Sequence, residues 1–114
     1  MVARVTFVNL TPHQINIKLA DGSMLNIEPS GQLARVTSTS SFVVEEDGIP
    51  VFDNEWSEVE GLPAPVDGVR YIVSMLVLNR ISGRDDVRAP GTGPADNVIR
   101  ENGQVVAVTR LIRR

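Results

Sequence analysis

Turn signals punctuate this chain about every 8–12 residues, and that spacing limits what it can fold into. They are Asn9-Leu-Thr-Pro-His13, Asp21-Gly22, Pro29-Ser-Gly31, Ser38–Ser41, Asp47-Gly48, Gly61-Leu-Pro-Ala-Pro65 and Asp67-Gly68, with Asn102-Gly103 beyond a long loop. An Asx-Gly pair takes up the positive φ angles of a two-residue hairpin turn at little cost. The runs between these turns are short and rich in Val and Ile, which favour strands. The expected strands are Val2–Val8, Ile15–Leu19, Met24–Ile27, Leu33–Val36, Phe42–Glu45, Ile49–Phe52, Arg70–Val73 and Gln104–Ile112. Ser38–Ser41 reads as a polar break. Ser74–Ile81 reads as a short helix, with Ser74 as N-cap and Gly83 on its C-terminal side. A long irregular loop follows, to about Arg100. The expectation is a mainly β protein: one domain over residues 1–114, a compact antiparallel β barrel or sandwich of about eight short strands with one short helix.

Five aromatics, Phe7, Phe42, Phe52, Trp56 and Tyr71, are too few to dominate a core, so Val, Ile and Leu must build it. A chain so poor in aromatics is expected to complete its core across an interface, as a homo-oligomer. There is no cysteine. Disulfides, thiolate nucleophiles and thiolate zinc sites are therefore excluded. No apolar run is long enough to span a membrane as a helix, and the N-terminus lacks a signal-peptide layout. A soluble, cytoplasmic protein is expected.

The loop Arg80–Asp96 carries three arginines, three aspartates, three glycines and two prolines. It also opens the only net-basic region. Residues 1–79 hold four bases against ten acids, whereas residues 80–114 hold seven arginines against four acids. Arginine forks suit phosphate and carboxylate oxygens. Arg84 and Arg88 are candidate anion clamps, with Asp86 holding them in place or contacting a ribose hydroxyl. The backbone N–H groups of Gly91 and Gly93, with the Thr92 hydroxyl between them, form a candidate anion nest. The competing reading is a rigid connector whose charges pair with one another.

Asn9 and His13, in Asn9-Leu-Thr-Pro-His13, form a second cluster at a candidate pocket edge; alternatively they are turn residues. His13 is the sole histidine, so no two-histidine metal site exists. Adjacent Asp85 and Asp86 cannot readily both face one Mg²⁺. No metal or cofactor is expected. With no nucleophile elbow around Ser74, no catalytic residue is assigned and an enzyme is not expected. Nucleic acid is disfavoured as a partner: the net charge is −3, and no aromatic follows Tyr71 to supply a stacking platform.

Five motifs occur in a characteristic order: Asn9-Leu-Thr-Pro-His13; Pro29-Ser-Gly31 with Ala34-Arg35; Gly61-Leu-Pro63; Tyr71-Ile-Val-Ser74; and Arg84-Asp-Asp-Val87 leading into Pro90-Gly-Thr-Gly-Pro94. In these the chain resembles a family of small, uncharacterised proteins carried by bacteriophages and bacterial genomes. The resemblance implies a phage or mobile-element context and action in the host bacterial cytoplasm. It brings no catalytic residue with it. Together these features point to a binding protein for an anionic small molecule, with a nucleotide as the expected class and sequestration of a host defence signal as its expected use. The alternative is a protein-interaction module that inhibits or modulates a host protein through a β edge or the long loop.

Overall fold

The computed structural model describes residues 4–114. The start of the expected first strand, Val2 and Ala3, lies outside the described residues. The chain is mainly β, with one short helix. Its strands are β1 (Thr6–Asn9), β2 (Ile15–Lys18), β3 (Met24–Ile27), β4 (Ser38–Glu46), β5 (Ile49–Trp56), β6 (Val69–Ile72), β7 (Val87–Pro90), β8 (Ile99–Glu101), β9 (Gln104–Ala107) and β10 (Leu111–Ile112). The helix, α1 (Met75–Leu78), lies between β6 and β7.

A four-stranded sheet, in the order β1-β6-β7-β10, organises the body. Its inner pairings, β1 with β6 and β6 with β7, are parallel, and β10 closes one edge antiparallel. The sheet is therefore not the uniformly antiparallel one expected from the turn spacing. No closed barrel forms among the described residues. The physical reason lies in Tyr71-Ile-Val73, which is buried throughout. A run buried on both faces suits the centre of a parallel sheet, and a parallel neighbour requires a crossover. The segment after β6 supplies it. Ser74 caps α1, accepting the Val77 N–H on its hydroxyl at 3.2 Å. Tighter turns, Arg80 N–H to Val77 and Ile81 N–H to Leu78, carry the crossover on to Ile81.

The strand that receives this crossover, β7, lies inside the stretch expected to be irregular. Val87 and Ala89 have no solvent exposure. Charged neighbours and a terminal proline hide the strand in the sequence, and Pro90 is tolerated because it stands at the strand end. The expected strand at Leu33–Val36 is reduced to a single bridge, Arg35 with Glu60. The expected terminal strand Gln104–Ile112 is broken in two: β9 pairs with β8 and β10 joins the main sheet.

The two faces of the sheet bury separate clusters. Tyr71, Val73, Val87 and Ala89 pack with Leu10, Val77, Leu78 and Ile81 on the helix side. Ile72 packs on the other side with Ile15, Ile17 and Val108, under the β2–β3 and β8–β9 hairpins. The β4–β5 hairpin joins neither core. Its strands pair only with each other and take in the Ser38–Ser41 stretch expected to be a break. The hairpin stretches the molecule to 54 × 38 × 26 Å with a radius of gyration of 17.0 Å. A chain of this length without a projecting arm would have a radius of about 13 Å.

Candidate functional site

Because β1, β6 and β7 run parallel, their carboxyl ends share one edge of the sheet. The Asn9–His13 turn follows β1, Ser74 follows β6, and the Pro90–Pro94 loop continues from β7. Three motifs far apart in sequence thus meet at the edge where open parallel sheets place their ligand crevices. Two adjoining depressions lie there, of about 530 and 440 Å³. They share His13, Ile15, Pro90 and Thr92. Pro12 and Met75 extend the apolar wall of the smaller one, and Thr11 and Ser74 add hydroxyls.

Asn9 shapes this edge without facing it. It is 1% exposed. Its amide nitrogen donates to the carbonyls of His13 (2.8 Å) and Ile27 (3.1 Å). Its amide oxygen accepts from the Thr11 N–H (2.9 Å) and hydroxyl (2.7 Å). The turn is thereby locked, and exposed His13 is presented at the cleft. Of the two residues expected here, His13 lines the depression and Asn9 holds the turn that presents it.

Both glycine N–H groups of the expected anion nest are taken up by the protein itself, each by a different partner. The Gly93 N–H donates to Asp96 Oδ2 at 2.6 Å. The Gly91 N–H donates to the Arg110 carbonyl at 3.0 Å. Arg110 donates from Nε to the other Asp96 oxygen at 2.7 Å, and the Thr109 hydroxyl donates to the Asp96 carbonyl at 2.9 Å. A Cβ on Gly91 would come within 3.1 Å of the Asp96 carboxyl carbon, and one on Gly93 within 3.0 Å of its oxygen. A side chain at either glycine would press on Asp96, which would have to give by a few tenths of an ångström. The Arg110 bond, followed by the Gly93 N–H, holds the Asp96 carboxyl below the usual carboxylate range. In place of the open nest expected from Gly91 and Gly93 both N–H groups are already engaged, and only Thr92 of the three faces the cleft.

Arg84 and Asp86 lie before the amino end of β7, at the edge opposite the cleft. They form a two-pronged ion pair, Nε to Oδ1 and Nη2 to Oδ2, both at 2.9 Å. Nη2 also donates to the Pro63 carbonyl at 2.8 Å. The Tyr71 hydroxyl donates to the Ala64 carbonyl nearby at 3.3 Å. The pair therefore fastens the Gly61–Pro65 segment to the sheet. The Arg84 bond lowers the Asp86 carboxyl, against the opposing effect of burial, and the Asp86 bond raises the Arg84 guanidinium. Arg84, expected as a phosphate clamp, has its fork already engaged; its short spacing from a buried aspartate is the physical reason.

Arg88 is differently placed. It pairs in register with Ile72 on β6, and Arg70 is two residues earlier on the same strand face. On the other side β10 pairs Ile112 with Ala89, which brings the next residue, Arg113, opposite Arg88. Arg70, Arg88 and Arg113 thus line up across three neighbouring strands. Half-buried Arg88 donates only to main-chain carbonyls, Asp85 at 2.6 Å and Val87 at 3.1 Å. Among the described residues no carboxylate lies within ion-pair distance of these three arginines. Burial, then the like charges of Arg70 and Arg113, push the Arg88 guanidinium down, more than Asp85 and Asp86 restore it. Arg70 and Arg113 are the members the sequence reading missed. Alternation along β6 was a usable signal for Arg70, but its neighbours across the sheet were not.

No group of three or more potential metal-ligating side chains occurs among the described residues. No helix among the described residues is long and apolar enough to cross a membrane. The chain matches no protein-family model, no curated protein and no solved structure. Its function must be argued from the row of arginines and the cleft.

Proposed function

We propose that this protein binds an anionic small molecule, with a nucleotide as the class that fits best, and that it holds the ligand without turning it over. The observation that carries this reading is the row Arg70–Arg88–Arg113, which makes no ion pair among the described residues. Like charges gathered on a half-buried face destabilise one another, and phosphate oxygens bridging them remove that cost. Arg88 lies two residues before Pro90 on the same strand face, about 7 Å along the chain. A phosphate on the arginines therefore leaves an attached ring within reach of the apolar wall of Pro12, Ile15, Met75 and Pro90, with His13, Ser74 and Thr92 as hydrogen-bonding groups at its rim. In the phage setting that the motif resemblance implies, the protein would act in the host cytoplasm by sequestering a nucleotide signal used in defence.

The test is direct. Protein purified from lysate is heated, and the released fraction is analysed by mass spectrometry; linear and cyclic nucleotides are then titrated calorimetrically. Binding is expected, with Arg88→Ala and Arg70→Ala each weakening it about tenfold or more, as expected for a lost charge-assisted hydrogen bond. Arg84→Ala is expected to lower thermal stability while the folded protein keeps its affinity. No released ligand together with no binding of any nucleotide would sink the reading.

A further inference from the structure

The β4–β5 arm is a surface without a partner. A two-stranded ribbon is marginal in water on its own. This one exposes Phe42 (60%), Phe52 (53%) and Ile49 (64%). The register pairs Phe42 with Phe52 across the strands, and their rings meet edge to face at 5.7 Å. Alternation puts Pro50 and Trp56 on that same face. The opposite face carries Val44, Val51 and Ile49 together with Glu46, Asp53 and Glu55. The body holds the arm only at its root. The Ser57 N–H donates to the Thr37 carbonyl at 2.7 Å, and the Arg80 guanidinium stands 5.0 Å from the Trp56 ring centroid.

We infer that the arm docks on the body of a second copy of this chain, each copy giving its arm and receiving the other. Charge selects this occupant. Residues 38–56 contain five carboxylates and no base, whereas the rest of the chain contains eleven bases and nine acids. Arm against arm would bring ten carboxylates together, but arm against body pairs opposite signs. A polyanion or an acidic membrane surface is repelled by the same five charges. Area agrees as well. The nine-residue β4 spans about 30 Å. A ribbon of that length buries on the order of 400 Å² per contact, so a reciprocal exchange with two contacts reaches the roughly 800 Å² per partner of a stable interface. The inference stands on the arm and does not need the nucleotide reading.

Sedimentation equilibrium of the full chain tests it. A dimer is expected, with Phe42→Ser/Phe52→Ser raising the dissociation constant at least about tenfold, as for loss of buried aromatic anchors. Glu45→Lys, opposite Pro50 on the aromatic face, is expected to do the same through charge alone. Circular dichroism confirms that the body of each variant is folded, and the charge variant decides if the aromatic one is not. Raising NaCl from about 0.15 to about 1 M shortens the screening length from about 8 to 3 Å and is expected to weaken the dimer. A chain that stays monomeric at about 100 μM, far above the dissociation constant of a stable interface, overturns the inference. So does a dimer that neither variant weakens, or one that salt strengthens, which is the outcome for arm against arm. A monomer that captures a different protein through Phe42 and Phe52 overturns it as well.

Discussion

Asn9 sits in the turn that draws the eye in the sequence, yet its whole side-chain amide bonds to the protein itself. Asn9→Ala removes the partner of the part-buried His13 and Ile27 carbonyls and of the Thr11 N–H. The expected loss is about 1–3 kcal/mol of stability, read as a shift in urea midpoint, because each lost intramolecular hydrogen bond contributes about 0.5–1.5 kcal/mol. Gly61 makes a sharper case. Its φ is +84°, and a Cβ there would fall 2.1 Å from the Leu33 carbonyl oxygen. Gly61→Ala combines left-handed strain of about 1–2 kcal/mol with overpacking of about 1–3 kcal/mol. Gly22 has a similar φ of +89° but open space around it, so Gly22→Ala is expected to cost only the strain. Parallel denaturation of the two variants checks the contrast. Equal losses would show that the close approach to Leu33 contributes nothing.

Among the elements, β7 and the arm part company with their sequence signals in opposite directions. Val87-Arg-Ala-Pro90 has little strand character, yet it is central because β6 and β10 pair on either side of it. Phe42–Glu45 and Ile49–Phe52 are clear strands, yet they join no sheet of the body. Asp47 (φ +49°) and Gly48 (φ +80°) form the tight turn that the Asp-Gly pair announced. Since Thr37 and Ser57 are already hydrogen-bonded at the root, replacing residues 38–56 by a short Gly-containing turn is expected to leave the body folded. The readout is a cooperative thermal transition retained in the shortened chain. Loss of that transition would mean that the arm belongs to the folding core.

For the whole molecule, acid is the revealing variable. The carboxyls of Asp86 and Asp96 titrate lower in the folded protein than in the unfolded chain, where aspartate titrates near about 3.9. The unfolded state therefore binds more protons in that range. The stability these groups contribute is fully present above about pH 5 and is lost as pH falls through their folded-state values. The thermal midpoint is expected to be level near neutrality and to drop below about pH 4.5, with Asp86→Asn flattening the drop. An unchanged profile in that variant would remove the Arg84–Asp86 pair from the account. The candidate site was legible in part at this scale. His13 and Thr92 reach the cleft and Arg88 joins the arginine row. Arg84, Asp86, Gly91 and Gly93 serve the frame: Arg84 and Asp86 pair with each other, Gly93 meets Asp96 three residues on, and Gly91 meets the Arg110 carbonyl.

Local chemistry alone determined the mainly β character, the Asx-Gly hairpin turns, the Ser74 cap and the absence of thiol chemistry. These follow from the propensities and turn preferences of neighbouring residues. Only the tertiary structure decided that the sheet is parallel at its centre, that Asp96 and the Arg110 carbonyl take up the glycine N–H groups, and that Arg70, Arg88 and Arg113 stand side by side. Each of these depends on which distant strand pairs with which. That choice is made by burying Tyr71-Ile-Val73 on both faces, a global packing requirement that local propensity does not encode.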